Sequence, residues 1–165
     1  MHSTRLTKVI FLFYLIFLTW VILLKMDITD ILYRMQYTSY RSVNLIPFAG
    51  TAVYDGHLDY LEIGLNVCIF LPYGLYLRVI HPKESRFHDF VQIVLTSLLF
   101  EILQFIFSIG VADITDLLAN SLGGLFGILL FQQLKTIWKN KFITLLNMWS
   151  LIGFLLLLIY LWIKR

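Results

Sequence analysis

Five apolar stretches, each long enough or nearly long enough to cross a bilayer, dominate this 165-residue sequence. A hydrocarbon core about 30 Å thick needs about 20 apolar residues in a helix, and lipid forces such a segment to satisfy its backbone hydrogen bonds internally. The stretches are residues 9–24, 63–80, 90–109, 116–131 and 142–163, and the fourth is short and polar at its start. The sequence therefore predicts an all-α integral membrane protein, a polytopic bundle of about five transmembrane helices.

The composition leaves little mass outside the membrane. Hydrophobic residues make up 59% of the chain and charged residues 14%, against about 25% charged residues in soluble domains. We therefore expect residues 1–165 to form a single membrane domain. The net charge of +3 is too small to predict a nucleic-acid surface. The single cysteine, Cys68, excludes an intramolecular disulfide and a multi-thiolate metal site within one chain.

The basic residues predict an orientation. With the N-terminus in the cytoplasm, more basic residues lie on the cytoplasmic side of the membrane than on the outer side, as the positive-inside rule requires. The inner group is Arg5, Lys8, Arg78, Lys83, Arg86, Lys135, Lys139 and Lys141, and the outer group is Lys25, Arg34, Arg41, Lys164 and Arg165. The long loop of residues 26–61, rich in aromatic rings, then lies outside. Among the carboxylates, Glu101 alone falls within the membrane.

Glu101 is the candidate functional group of the third stretch. It lies near the midplane and toward the outer face, where a charge costs at least about 2.5 kcal/mol, so it needs a partner. At 100° per residue, one helix face carries Ser97, Glu101, Gln104 and Ser108. One interpretation is a proton-handling or headgroup-binding carboxylate. The alternative is a neutral side chain that forms a structural hydrogen bond between helices.

The segment 110–127 carries a second polar stripe. If its helix begins near Asp113, one face holds Asp113, Asp116, Asn120, Gly123 and Gly127. The two aspartates suit the positive end of the helix dipole, and the two glycines allow another helix to approach closely. The alternative is that one aspartate is only a helix N-cap. We do not expect both to be caps.

Asn66 begins the second stretch, which also contains Pro72 and Gly74. Proline removes a helical hydrogen-bond donor and kinks a helix, which either opens a pocket or shapes packing. Asn66, Glu101 and Asn120 come from three stretches yet fall at one depth in the outer half of the membrane. This convergence predicts a polar site there.

Other features are weaker. His57 lies between two aspartates, but a solvated loop explains this better than a metal site, and His81 and His88 are interpreted as surface groups. The sequence contains neither a Gly-x-Ser-x-Gly elbow nor a glycine-rich phosphate loop. We therefore predict no metal ligands, and the sequence names no cofactor.

Four short motifs carry a resemblance to a known family. They are Asn44-Leu45-Ile46-Pro47-Phe48, the segment from Asn66 to Gly74 that contains Phe70 and Pro72, Glu101 with Gln104, and Asp113 with Asp116, Asn120 and Gly123. In order and spacing they resemble the VanZ-like family, over about residues 41–131. Each motif alone is weak, and the specificity lies in finding four in order within a small multispan chain.

The resemblance implies a bacterial cytoplasmic-membrane protein similar to the accessory factor that gives low-level resistance to teicoplanin-type glycopeptides. It implies less antibiotic association with the envelope, without a change in the peptidoglycan precursor. The antibiotic would thus be affected indirectly. The family supplies no biochemical activity.

The leading hypothesis is a polar pocket in the outer leaflet that binds or modifies an envelope component, such as a lipid or a cell-wall precursor. Glu101, Asp113 and Asp116 are its candidate catalytic or cation-binding groups. Its candidate ligand-binding residues are Asn66, Gln104 and Asn120, with Asn44, Pro47 and Phe48 as a lid or re-entrant edge over the pocket. The rivals are a non-catalytic module for lipid or drug exclusion or transport, and a cluster that serves only folding. Catalysis and oligomeric state stay open.

Overall fold

A computed structural model describes residues 4–23, 41–49, 53–54 and 57–163, and the fold is given for these residues. Its five helices are α1 (Thr4–Leu23), α2 (Tyr60–Ile80), α3 (Arg86–Phe107), α4 (Ile114–Trp138) and α5 (Phe142–Ile163). A 3₁₀ turn, Lys139–Lys141, joins α4 to α5. Four short strands accompany them, namely β1 (Ser42–Asn44), β2 (Val53–Tyr54), β3 (His57–Leu58) and β4 (Val111–Asp113).

Helices α1 to α4 are each long and apolar enough to cross a membrane, and α5 adds a fifth apolar helix of 22 residues. The predicted all-α polytopic membrane fold is thereby confirmed. The predicted fourth stretch, residues 116–131, is too short. Helix α4 continues to Trp138 through a polar turn that contains Gln132, Gln133 and Lys135. Such straight-chain residues favour a helix without being apolar. Much of the predicted loop 26–61 lies outside the described residues.

Side-chain caps set the starts of three helices. Asp59 accepts a hydrogen bond from the Glu62 backbone N–H at 3.0 Å, and Ser85 accepts one from His88 at 3.0 Å. Asp113 does the same for α4, accepting from Thr115 at 2.7 Å. Helix α3 ends where Ser108 adopts a left-handed conformation, with φ of 55°. These caps satisfy backbone donors that the helices themselves leave unpaired.

The short strands, which the sequence analysis did not predict, tie distant segments together. Strand β1 pairs in parallel with β4, in the register Ser42↔Val111, Val43↔Ala112 and Asn44↔Asp113. Strands β2 and β3 form a small antiparallel pair. Helices α2 and α4 begin, and helix α3 ends, at the same end of the bundle. We call this the strand end. The opposite end, with residues 81–85 between α2 and α3, is the turn end.

Glycines set the distance between α2 and α4, the two helices in most extensive contact. A Cβ atom added to Gly123 would collide with the backbone carbonyl of Val67, and one added to Gly127 with that of Leu71. On the other helix, a Cβ atom at Gly74 would collide with the Gly124 carbonyl. The predicted small-residue contact therefore exists, and α2 is its partner. Between helices in lipid the hydrophobic effect does not favour association, and close backbone approach of this kind supplies the packing contacts instead.

The remaining helices pack through apolar and polar contacts. The buried core includes Leu18 and Ile22 of α1, Phe70, Tyr73 and Leu77 of α2, Ile93 and Phe100 of α3, and Ile128 of α4. Two hydrogen bonds link α1 to its neighbours: Tyr14 Oη donates to the Ile69 carbonyl at 2.6 Å, and the buried Asn147 Nδ2 donates to Thr7 Oγ1 at 3.0 Å. Apolar side chains such as Leu12 and Leu95 face outward, as a lipid-exposed surface requires.

Replacing Gly123 by alanine is expected to destabilise the protein by about 1–3 kcal/mol, because the new methyl group forces α2 and α4 apart. The matched control is Gly64→Ala on α2, where an added Cβ atom meets no atom within 4 Å. Unfolding of both variants in mixed micelles checks this. Equal stability of Gly123→Ala and Gly64→Ala would contradict the glycine contact.

Candidate functional site

The site at the strand end is built around Asp113, the last residue of β4 and the N-cap of α4. Its Oδ1 atom accepts from the Thr115 backbone N–H, and its Oδ2 atom accepts from Asn44 Nδ2 at 2.9 Å. The same Asn44 amide donates to the Ala49 carbonyl at 2.7 Å. Asp113 is 3% exposed. One carboxylate therefore fixes both the start of α4 and the segment that precedes α2.

Glu101 reaches the same point from α3. Its Oε2 atom accepts a hydrogen bond from the Asp113 backbone N–H at 2.8 Å, and the side chain is 6% exposed. Residues 108–112 reverse the chain between α3 and α4, which brings the backbone of Asp113 back to a residue twelve positions earlier. Glu101 thus has a hydrogen-bond partner within the chain, as a carboxylate on an apolar helix requires.

Asp116 lies one turn into α4 and contacts α2. Its Oδ1 atom accepts from Asn66 Nδ2 at 2.6 Å, and Asn66 is buried. Of the two aspartates, only Asp113 is the N-cap. Asp113 therefore caps α4 but is not only a cap, because it also accepts from Asn44, whereas Asp116 links α4 to α2 within the polar site.

Two more predicted residues extend the cluster into the bundle. Asn120 Nδ2 donates to Ser97 Oγ at 3.0 Å, and Gln104 Nε2 donates to the Ile22 carbonyl at 3.2 Å. The Oδ1 atom of Asn120 and the Oε1 atom of Gln104 are buried, and neither has a hydrogen-bond partner among the described residues. Both oxygens are acceptors available to a donor that reaches this depth.

The segment of Pro47 and Phe48, which the sequence analysis interprets as part of a lid or re-entrant edge, is exposed. The side chain of Phe48 is 52% exposed, and its backbone N–H donates to Thr115 Oγ1 at 3.0 Å. Asn44 Oδ1 accepts from the Ile46 N–H and so shapes the turn. Thr115 was missed by the sequence analysis, because a single threonine beside a capping aspartate gives no distinctive signal.

Two cavities adjoin these groups. The smaller, about 270 Å³, lies between α3, α4 and the paired strands, and its mostly apolar walls include both Glu101 and Asp113. The larger, about 910 Å³, is a groove between α1, α2 and α5. Apolar side chains such as Phe13, Leu65 and Leu151 line it, together with Asp59, Glu62 and Asn66 toward the strand end. The site thus combines buried carboxylates with apolar space on both sides.

Comparisons with known proteins identify the family to which the chain belongs. The family model described as VanZ/LLP1 matches residues 11–139. Protein VanZ of Enterococcus faecium is 40% identical over 118 residues, which cover 72% of this chain and 68% of that protein. The chain belongs to the VanZ family. Among solved structures, none matches this VanZ-family chain.

The four VanZ-like motifs, far apart in sequence, meet at the strand end. Asn44 of the first motif bonds to Asp113 of the fourth, and Asn66 of the second bonds to Asp116 of the fourth. Glu101 of the third motif accepts from the backbone of Asp113. The motifs therefore describe one connected set of contacts, with the start of α4 at its centre.

The Asn66–Asp116 contact is expected to show measurable coupling. Removing the Asn66 amide by Asn66→Ala withdraws a buried donor from a carboxylate, which costs about 1–3 kcal/mol. In a double-mutant cycle with Asp116→Ala, the coupling energy should be about 0.5–3 kcal/mol, measured by unfolding in mixed micelles.

The control cycle pairs Asp116→Ala with Asn147→Ala, because Asn147 bonds to Thr7 on α1. These two substitutions should be additive to within about 0.5 kcal/mol. Additivity in the Asn66 cycle as well would show that the contact does not contribute to stability.

Proposed function

We propose that this VanZ-family protein binds an amphiphilic component of the bacterial envelope at the strand end and thereby lowers susceptibility to teicoplanin-type glycopeptides. The observation that carries the proposal is the buried polar site itself. Glu101, Asp113 and Asp116 gather at one end of a membrane bundle, beside apolar cavities. Ionisable groups at membrane depth are costly, and they mark functional sites by default.

The smaller cavity is suited to a polar headgroup held against lipid. Glu101 and Asp113 lie on its wall among apolar side chains that include Val43, Ile102 and Leu117. A few convergent polar groups in an apolar recess are typical of ligand sites. A ligand here would place hydrogen-bond donors or a cationic group near the two carboxylates.

The larger groove is suited to an acyl chain. Its volume of about 910 Å³ lies within the range of small-molecule pockets, about 300–1,000 Å³. Its walls are mostly apolar along α1, α2 and α5, and Asp59, Glu62 and Asn66 line it toward the strand end. A lipid or a lipid-linked cell-wall precursor would thus place its chain in the membrane and its headgroup at the strand end.

The proposed location is the bacterial cytoplasmic membrane, with the strand end outward. The distribution of basic residues favours this orientation by eight to five. An outward site meets the envelope components on which glycopeptides act. The lipid bilayer and an envelope lipid or precursor are then the partners, and the antibiotic is affected indirectly.

Hydrogen bonds already held by the carboxylates favour recognition over catalysis. Asp113 accepts from both Asn44 and Thr115, and Asp116 accepts from Asn66. Carboxylates fixed in this way provide a stable, preorganised surface for a ligand. Glu101 is the group that a catalytic alternative would use as a general acid or base, because it adjoins the smaller cavity.

The experiment compares killing by teicoplanin and binding of labelled teicoplanin in a susceptible Gram-positive host at matched membrane abundance of each variant. Wild type should lower both. Glu101→Gln retains an oxygen that can accept from the Asp113 N–H but removes the carboxylate, and protection should fall to the level of the empty vector. Asp116→Asn should behave similarly.

The matched control is Glu84→Gln, the same chemical change at an exposed position of the turn end, which should protect as wild type does. Gly153→Leu tests the groove, since the new side chain enters it where an added Cβ atom meets nothing within 4 Å, and protection should fall. If Glu101→Gln and Asp116→Asn protect fully, the polar cluster serves folding alone and the proposal is wrong.

A further inference from the structure

A second cluster of ionisable side chains lies at the turn end, away from the candidate site. His81 is the C-cap of α2, directly after Ile80, and the first turn of α3 contributes His88 and Asp89. One ligand atom from each of these three residues lies within 4.8 Å of the other two. Asp89 is completely buried, while His81 and His88 border the solvent side.

We propose that His81, His88 and Asp89 bind one divalent transition-metal ion, with Zn²⁺ as the expected occupant. Asp89 Oδ1 lies 3.5 Å from His81 Nδ1 and 3.6 Å from His88 Nδ1. Ligand atoms about 2.0–2.1 Å from a tetrahedral zinc ion are about 3.3 Å apart. The three atoms thus need only small side-chain rotations to surround an ion.

Unsatisfied atoms point into the cluster. Asp89 Oδ1 and His81 Nδ1 are both buried, and neither has a hydrogen-bond partner among the described residues. A buried carboxylate oxygen without a partner is costly, and native proteins rarely leave one unexplained. A metal ion that accepts lone pairs from both atoms would satisfy them together.

Arg78 holds the carboxylate in position. Its guanidinium donates to Asp89 Oδ2 at 2.6 Å and to the Glu84 carbonyl at 2.9 Å. The arginine therefore occupies one carboxylate oxygen and leaves Oδ1 directed at the two imidazoles, as outer-shell partners of metal ligands do. Its positive charge also opposes a cation, so we expect weaker binding than at a structural four-thiolate zinc site.

The ligand chemistry selects the kind of metal. Two imidazole nitrogens and one carboxylate suit zinc and its transition-metal neighbours, whereas Mg²⁺ and Ca²⁺ prefer oxygen ligands. Three protein ligands leave a coordination position for water. A bound ion would link the C-cap residue of α2 to the first turn of α3 and so stabilise the connection between two helices of the bundle.

The test measures Co²⁺ and Zn²⁺ binding to the full-length protein in lipid nanodiscs, purified through a tag without histidine and treated with a chelator. Co²⁺ should give saturable visible absorption with one ion per chain, and Zn²⁺ should displace it while excess Mg²⁺ should not. His81→Ala and His88→Ala should each weaken binding by more than about tenfold, the loss that even outer-shell substitutions cause. Zn²⁺ should raise the melting temperature of the wild type but not that of His81→Ala or His88→Ala.

The matched control is His57→Ala in β3, an exposed histidine at the strand end, which should bind the metal as wild type does. Absence of saturable binding to wild type would overturn the proposal and leave the two imidazoles as hydrogen-bond neighbours of Asp89. Unchanged affinity in His81→Ala or His88→Ala, or an equal loss in His57→Ala, would also overturn it. Teicoplanin protection plays no part in this test, so its outcome is independent of the function proposed above.

Discussion

The hydrogen bond from the Asp113 backbone to Glu101 is the contact on which the strand end depends. A carboxylate within a membrane helix needs a donor, and a chain that reverses direction near the membrane exposes backbone groups that need acceptors. Glu101 and the segment between α3 and α4 satisfy each other at 2.8 Å. With its backbone held there, Asp113 can cap α4 and receive the Asn44 amide.

The glycine contact between α2 and α4 gives this arrangement its rigid base. Because Gly123 and Gly127 admit the α2 backbone, Asn66 lies close enough to reach Asp116. The larger groove lies between α1, α2 and α5, and Pro72 of α2 is on its wall. At the turn end, Arg78 and Asp89 form a second buried polar contact between α2 and α3. Charged or polar side chains thus link helices at both ends of the bundle.

The helices were predictable from the sequence, because apolar length and helical periodicity are local properties. The same reasoning predicts one membrane depth for Asn66, Glu101 and Asn120, and that depth stays a prediction. The pairing of β1 with β4 was not predictable, since three-residue strands at distant positions have no periodic signal. The buried environment of Asp89 was missed for a similar reason, because a histidine-rich basic loop resembles an ordinary surface segment.

The central structural claim is that the segment before α2 returns to pair with the segment before α4 and so completes the polar site. Intramolecular cross-linking tests it most directly, using Val43→Cys with Ala112→Cys, which are register partners, in a Cys68→Ser background. Adjacent positions on paired strands are within the span of a disulfide, whereas Leu45→Cys with Ala112→Cys is two residues out of register and beyond it. The account predicts that oxidation in native membranes joins the peptides of the first pair and not of the offset pair, as measured by mass spectrometry. Equal cross-linking of the two pairs, or none in the first, would contradict it.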